Sequence, residues 1–278
     1  MRYYTPEWYQ CMQSTSLHLG FQPDERAAVF SEAFFQEAYA HVLSEQIDLR
    51  KRMRELSIFD LLKKHFEGCV SMGLMTGEEC RTKLEDARAE DAFPKPPINE
   101  AEIEEKVRRR LEYNQEYYRR LLPAALLEQI ADLRVLALGV ATQKVIDSLC
   151  VFCEENKRYV ENVFQAYHEH WDTIKQRFPE HIAKSLSLHD VKIKEFRQME
   201  GTLTLLLGKK CNLNRVRSIT FHDYEIVRLD DVAGFDWGWE ELDLCSDGRY
   251  AVGILCTGPE NRILEVLARD ITFNMYER

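Results

Sequence analysis

The sequence is 278 residues long, 45% hydrophobic and 30% charged, with 37 Lys and Arg against 47 Asp and Glu and a net charge of −10. That balance argues against nucleic acid, whose binding proteins usually carry a basic surplus, and no apolar run approaches the ~18 residues of a membrane-spanning helix. The opening Met1-Arg2-Tyr3-Tyr4-Thr5-Pro6-Glu7 has no apolar signal core, and the eight scattered cysteines are expected as buried small hydrophobes in a reducing cytoplasm.

The first two thirds of the chain have the spacing of helices. Thr5 before Pro6 is an N-cap with proline at the first helical position, opening a short helix through Ser14. Pro23-Asp24-Glu25 is expected to open a long one, with Val29, Phe30, Phe34, Ala38, Val42 and Leu49 along one face. Further helices are predicted over Ser57–Phe66 and Thr76–Ala92, and Pro94, Pro96 and Pro97 then form a break. Asn99 with Glu102 caps a charged helix to Leu121, and Pro123 opens another that Gly139 closes. The last helix is predicted over Thr142–Phe178, with Asn156 interrupting its apolar stripe and Pro179 ending it.

From Leu186 the period shortens from 3.6 to 2. Strands are expected over residues 190–196, 202–207, 216–221 and 225–229, then a hairpin over Leu242–Val252 turning at Asp247-Gly248, and a last strand over Ile263–Phe273. The fold class is α+β: an all-helical domain over residues 1–183 with a break near 93–98, then an antiparallel β-sheet or small sandwich over 184–278.

Three stretches resemble an uncharacterised bacterial family catalogued only as a domain of unknown function. They are the opening Tyr3-Tyr4-Thr5-Pro6-Glu7-Trp8-Tyr9, the junction from Trp171-Asp172-Thr173-Ile174-Lys175 through Phe178-Pro179-Glu180 to Ser187-Leu188-His189-Asp190, and the closing Asp270-Ile271-Thr272-Phe273. The insert between about residues 40 and 140 departs from that pattern. The resemblance implies a fold but no activity, substrate or cofactor.

Few residues point to chemistry. Cys150 and Cys153 form the one CxxC, inside a predicted helix where no N-terminal dipole would lower a thiol pKa, so they are expected to pack. The basic runs Arg50-Lys51-Arg52 and Arg108-Arg109-Arg110 have acids within a turn and are expected as solvated, paired faces. No nucleophile elbow, phosphate loop or dinucleotide fingerprint occurs.

Two sets remain. His168 and Asp172 share a helical face, and with His189 and Asp190 they would make a metal-dependent hydrolase if the junction folded back against that face. The architectural alternative is that His189 and Asp190 satisfy backbone groups where helix becomes sheet, as His222-Asp223 would after a later strand. The second set lies in Asp230–Glu241: Trp237 and Trp239 on one strand face, rimmed by Asp236, Glu240 and Glu241, with a bulge needed near Glu240. As an exposed loop it would grip a basic protein partner; as strand, its tryptophans would be core. The leading expectation is a non-catalytic, cytoplasmic protein-binding module with no cofactor.

Overall fold

The computed structural model describes residues 1–93, 95 and 97–277; of the proline break, Pro94 and Pro96 lie outside the described residues. Among the described residues there are nine α-helices: α1 (Pro6–Gln13), α2 (Glu32–Glu55), α3 (Ile58–Ser71), α4 (Gly77–Asp91), α5 (Glu100–Leu121), α6 (Ala124–Leu127), α7 (Leu133–Ala137), α8 (Gln143–Ile174) and α9 (Glu180–Leu186). Two-residue strands β1 (Gln22–Pro23) and β2 (Val140–Ala141) pair in parallel. The main sheet holds β3 (Val191–Met199), β4 (Thr202–Leu207), β5 (Val216–His222), β6 (Glu225–Leu229), β7 (Asp236–Leu244), β8 (Tyr250–Thr257), β9 (Arg262–Ala268) and β10 (Asp270–Met275). The protein is α+β, and the change from helix to strand falls between Leu186 and Val191. Its compact units divide elsewhere: one is His18–Leu149, the other joins Met1–Leu17 to Cys150–Arg278.

In the His18–Leu149 unit, α2 starts later than its apolar stripe suggests. The Asp24 side chain accepts from the Arg26 N–H at 2.9 Å and closes a separate 3-10 turn over Glu25–Ala28. Val29 is then extended, and Ser31 caps a fresh helix through the Phe34 N–H. Val29 and Phe30 are exposed rather than packed. Asp91 ties α4 to the start of α3, accepting from Ser57 Oγ and from the Ile58 and Phe59 N–H groups. The helix expected between Pro123 and Gly139 is two short ones, because Asp132 caps α7 anew through the Arg134 N–H. Gly139 ends α7 at φ +85°, where a Cβ would stand 3.0 Å from the Gly20 carbonyl oxygen.

Helix α8 is unbroken, and in the other unit its Asn156 donates to Ser14 Oγ at 3.0 Å. Trp8 on α1 is almost fully buried, with its indole N–H reaching the Val160 carbonyl on α8 at 3.4 Å. The sheet order is β10-β5-β4-β3-β7-β8-β9-β6, antiparallel throughout. Only Val191 and Lys192 of β3 pair with β7, so a narrow seam joins two four-stranded halves. Both halves feed one core. Ile193, Leu203, Leu205 and Phe221 come from one, and Trp237, Ile254, Leu264 and Val266 from the other, with Ile182 and Leu186 of α9 among them. Each such side chain contributes about 1.5–3 kcal/mol on leaving water.

Two turns differ from expectation. At Asp247-Gly248 only Gly248 has positive φ, and Gly248 N–H bonds the Cys245 carbonyl, so a wider loop ending in a left-handed glycine replaces the two-residue turn. The single closing strand is two. Between β9 and β10 the Arg269 N–H bonds the His222 carbonyl, and β10 pairs with β5 on the far edge of the sheet.

Candidate functional site

The Asp230–Glu241 segment is not an exposed loop; from Asp236 it is β7. Trp237 opposes Cys256 while Trp239 opposes Leu255, so Gly238 is an extra residue and the bulge sits there rather than near Glu240. Because Cys256 and Leu255 are neighbours on β8, the two tryptophans face opposite sides of the sheet. This corrects the expectation of one shared face. Trp237 is fully buried in the common core and cannot meet a partner. A Cβ on Gly238 would come within 2.6 Å of Thr257 Cγ2 and 2.9 Å of the Leu255 carbonyl, so glycine is what lets the bulge form.

The three acids expected as a rim are employed differently. Asp236 pairs with Lys192 Nζ at 3.1 Å across the seam. Glu241 opposes Gly253 and accepts from the backbone N–H groups of Arg2, Tyr3 and Tyr4, fastening the opening motif to the outer face. Glu240 returns to the inner face beside Trp237, whose indole N–H donates to Oε2 at 2.9 Å. Burial pushes the Glu240 carboxyl up to about 7, against the Trp237 bond and N–H bonds from its own and the Leu188 backbone, which lower it. Among the described residues no Lys, Arg or His forms an ion pair with it.

Around Trp239 the opening motif, α8 and the junction meet. Trp8 packs edge-on at 5.1 Å between centroids, Tyr4 at 5.3 Å and His189 edge-on at 5.5 Å. Tyr4 also meets Tyr167 edge-on at 4.9 Å, and the Tyr167 hydroxyl accepts from the Leu242 N–H. Burial pushes both phenols up, and the nearby Glu240 and Glu241 charges add to the rise. Beside this cluster lies a groove of about 430 Å³ walled by Tyr4, Phe164, Tyr167, Trp171 and Trp239, with Glu240, His168 and Lys184 in its lining. Of the five residues expected to hold a partner, Trp239 and Glu240 line the groove. Sequence reasoning missed Tyr4, Tyr167 and Trp171. The first lay in the opening motif, and the others lay in an α8 stripe indistinguishable from core packing.

The His/Asp set is spread over separate tasks. His168 and Asp172 are exposed on α8; His168 Nδ1 meets the Phe164 carbonyl at 3.0 Å, and Asp172 binds Lys175 Nζ at 2.6 Å. His189 Nδ1 donates to the carbonyl of the bulge residue Gly238 at 2.8 Å. Asp190 takes a left-handed φ of +57°, which aspartate tolerates, and its N–H bonds the Trp237 carbonyl. Among the described residues no three His, Cys, Asp or Glu side chains are grouped to hold a metal ion. Cys150 and Cys153 both lie within α8, with Cys153 fully buried.

Fold and site together define an α+β protein with an aromatic groove beside a partly buried carboxyl. The chain belongs to the DUF4085 family, described as a protein of unknown function, whose model matches residues 95–264. That span holds α8, α9 and β7 but neither the opening nor the closing motif. No curated protein and no solved structure gives a significant match.

Proposed function

We propose that this protein is a non-catalytic binding module whose groove receives a cationic side chain from a basic protein partner. Glu240 carries the reading: a residue of the groove lining whose carboxyl is raised to about 7 by burial and lacks a basic partner among the described residues. An entering ammonium or guanidinium would supply the missing charge, and the faces of Tyr4, Tyr167 and Trp239 attract cations. The net charge of −10 draws a basic surface from a distance. Cys11, Cys69, Cys80, Cys150, Cys211, Cys245 and Cys256 are free thiols, which suits a reducing, cytoplasmic setting.

The test is calorimetry with an oligolysine peptide on the full chain at pH 6 and pH 8. Affinity is expected to rise about tenfold as Glu240 ionises. Glu240→Gln should abolish the rise, which also separates Glu240 from His168 and Lys184 in the same lining. Trp239→Ala should weaken binding at both values. Equal pH dependence in wild type and Glu240→Gln would overturn the proposal.

A further inference from the structure

The basic runs of the sequence are only partly neutralised. Arg108 bonds Glu105 and Glu112, Arg109 bonds Glu105, and Lys51 reaches Asp48 and Glu100. Arg50 and Arg110 are left over: among the described residues neither has an ion pair or hydrogen bond through its side chain. Both line the same cleft of about 440 Å³ between α2 and α5, with Leu138 and Gly139 also in its lining. Lys106, bonded to Glu102 on its own helix, is a third cation in that lining. Glu45 is the one acid in the lining, and it already faces His41 at 3.6 Å; Glu102, outside the lining, bonds Lys106 and feels the charge of Arg50, which both hold its carboxyl below the usual carboxylate range. Val107, Leu111 and Tyr118 add apolar and aromatic surface to the lining, beside the polar Gln46 and Asn114.

We propose that this cleft binds a small amphipathic anion, a carboxylate or phosphate monoester on an apolar body. The lining supports both halves of that ligand. Arg50 of α2 and Arg110 of α5 bring one arginine from each helix to the cleft, and guanidinium forks bind planar carboxylate and phosphate oxygens in pairs. An apolar body would lie against Val107, Leu111 and Tyr118 and leave water there. A volume near 440 Å³ is within the range that encloses an organic ligand. This inference is independent of the groove at Glu240.

The experiment is calorimetric titration of the full chain with 1-naphthyl phosphate, 1-naphthoate and neutral 1-naphthol. The two anions are expected to bind saturably with affinities near or below about 1 mM, and 1-naphthol at least about tenfold more weakly. Comparing the anions tells phosphate from carboxylate. Arg50→Gln and Arg110→Gln should each weaken anion binding about tenfold while leaving 1-naphthol unchanged, and Arg108→Gln, whose guanidinium is already paired, should leave it intact. Equal binding by wild type and the Arg50→Gln, Arg110→Gln double variant would overturn the proposal. So would equal loss in Arg108→Gln, or no saturable binding of either anion.

Discussion

The groove beside β7 and the cleft between α2 and α5 each hold charge that the protein leaves unpaired, yet they hold it differently. In the sheet-containing unit the acid is part of the folding machinery. Glu240 takes the indole N–H of a core tryptophan, and its neighbour Glu241 fastens the opening motif. In the helical unit Arg50 and Arg110 are exposed on their helices, and among the described residues neither forms a hydrogen bond or ion pair through its side chain. Recognition as proposed here would therefore be fused with stability at the groove and separable from it at the cleft, because only a buried charge must be satisfied before the chain folds.

The sharpest way to break this comparison is Trp237→Ala, which empties a core position shared by both halves of the sheet. It should cost about 3–5 kcal/mol in urea denaturation, and a loss under about 1 kcal/mol would place Trp237 outside the core. Gly238→Ala forces a methyl against Thr257 and the Leu255 carbonyl and should cost about 1–3 kcal/mol.

Glu240 gives a pH signature. Its folded value of about 7 lies above its ordinary 4.5, so the native state binds the proton more tightly. Its stabilising contribution is complete below about 4.5 and is lost as pH rises to about 7; allowing for the solvent that still reaches the carboxyl, about 1–2 kcal/mol is at stake. Denaturation across that window should show this slope in wild type and lose it in Glu240→Gln. The smallest effect belongs to the cleft: Arg50→Gln and Arg110→Gln should each shift stability by no more than about 0.5 kcal/mol. A larger change in either would mean that its charge is structural after all.

Much of the architecture was legible because it is local. Thr5 and Asn99 cap helices where their hydroxyl and carboxamide groups predict it, the helices expected from Ser57 and Thr76 begin one residue on with those two as caps, and β4 and β6 keep the bounds that their alternation sets. The misreadings share a cause. The α2 stripe ran on through Val29 and Phe30 because periodicity cannot register the Asp24 turn. One apolar run hid β9 and β10 because alternation does not reveal that a chain changes edges at Arg269. The expected pairing of Trp237 with Trp239 failed at one residue, since a bulge inverts every side chain beyond it.

The sequence by itself determined most of the helices and strands and the α+β order, since caps, turns and periods act between residues a few places apart. Which tryptophan is core, which acid holds the opening motif and which arginines face a cleft were decided only by tertiary structure. Those outcomes depend on contacts such as Trp237 with Cys256 and Glu241 with Tyr3, made between residues far apart in the chain.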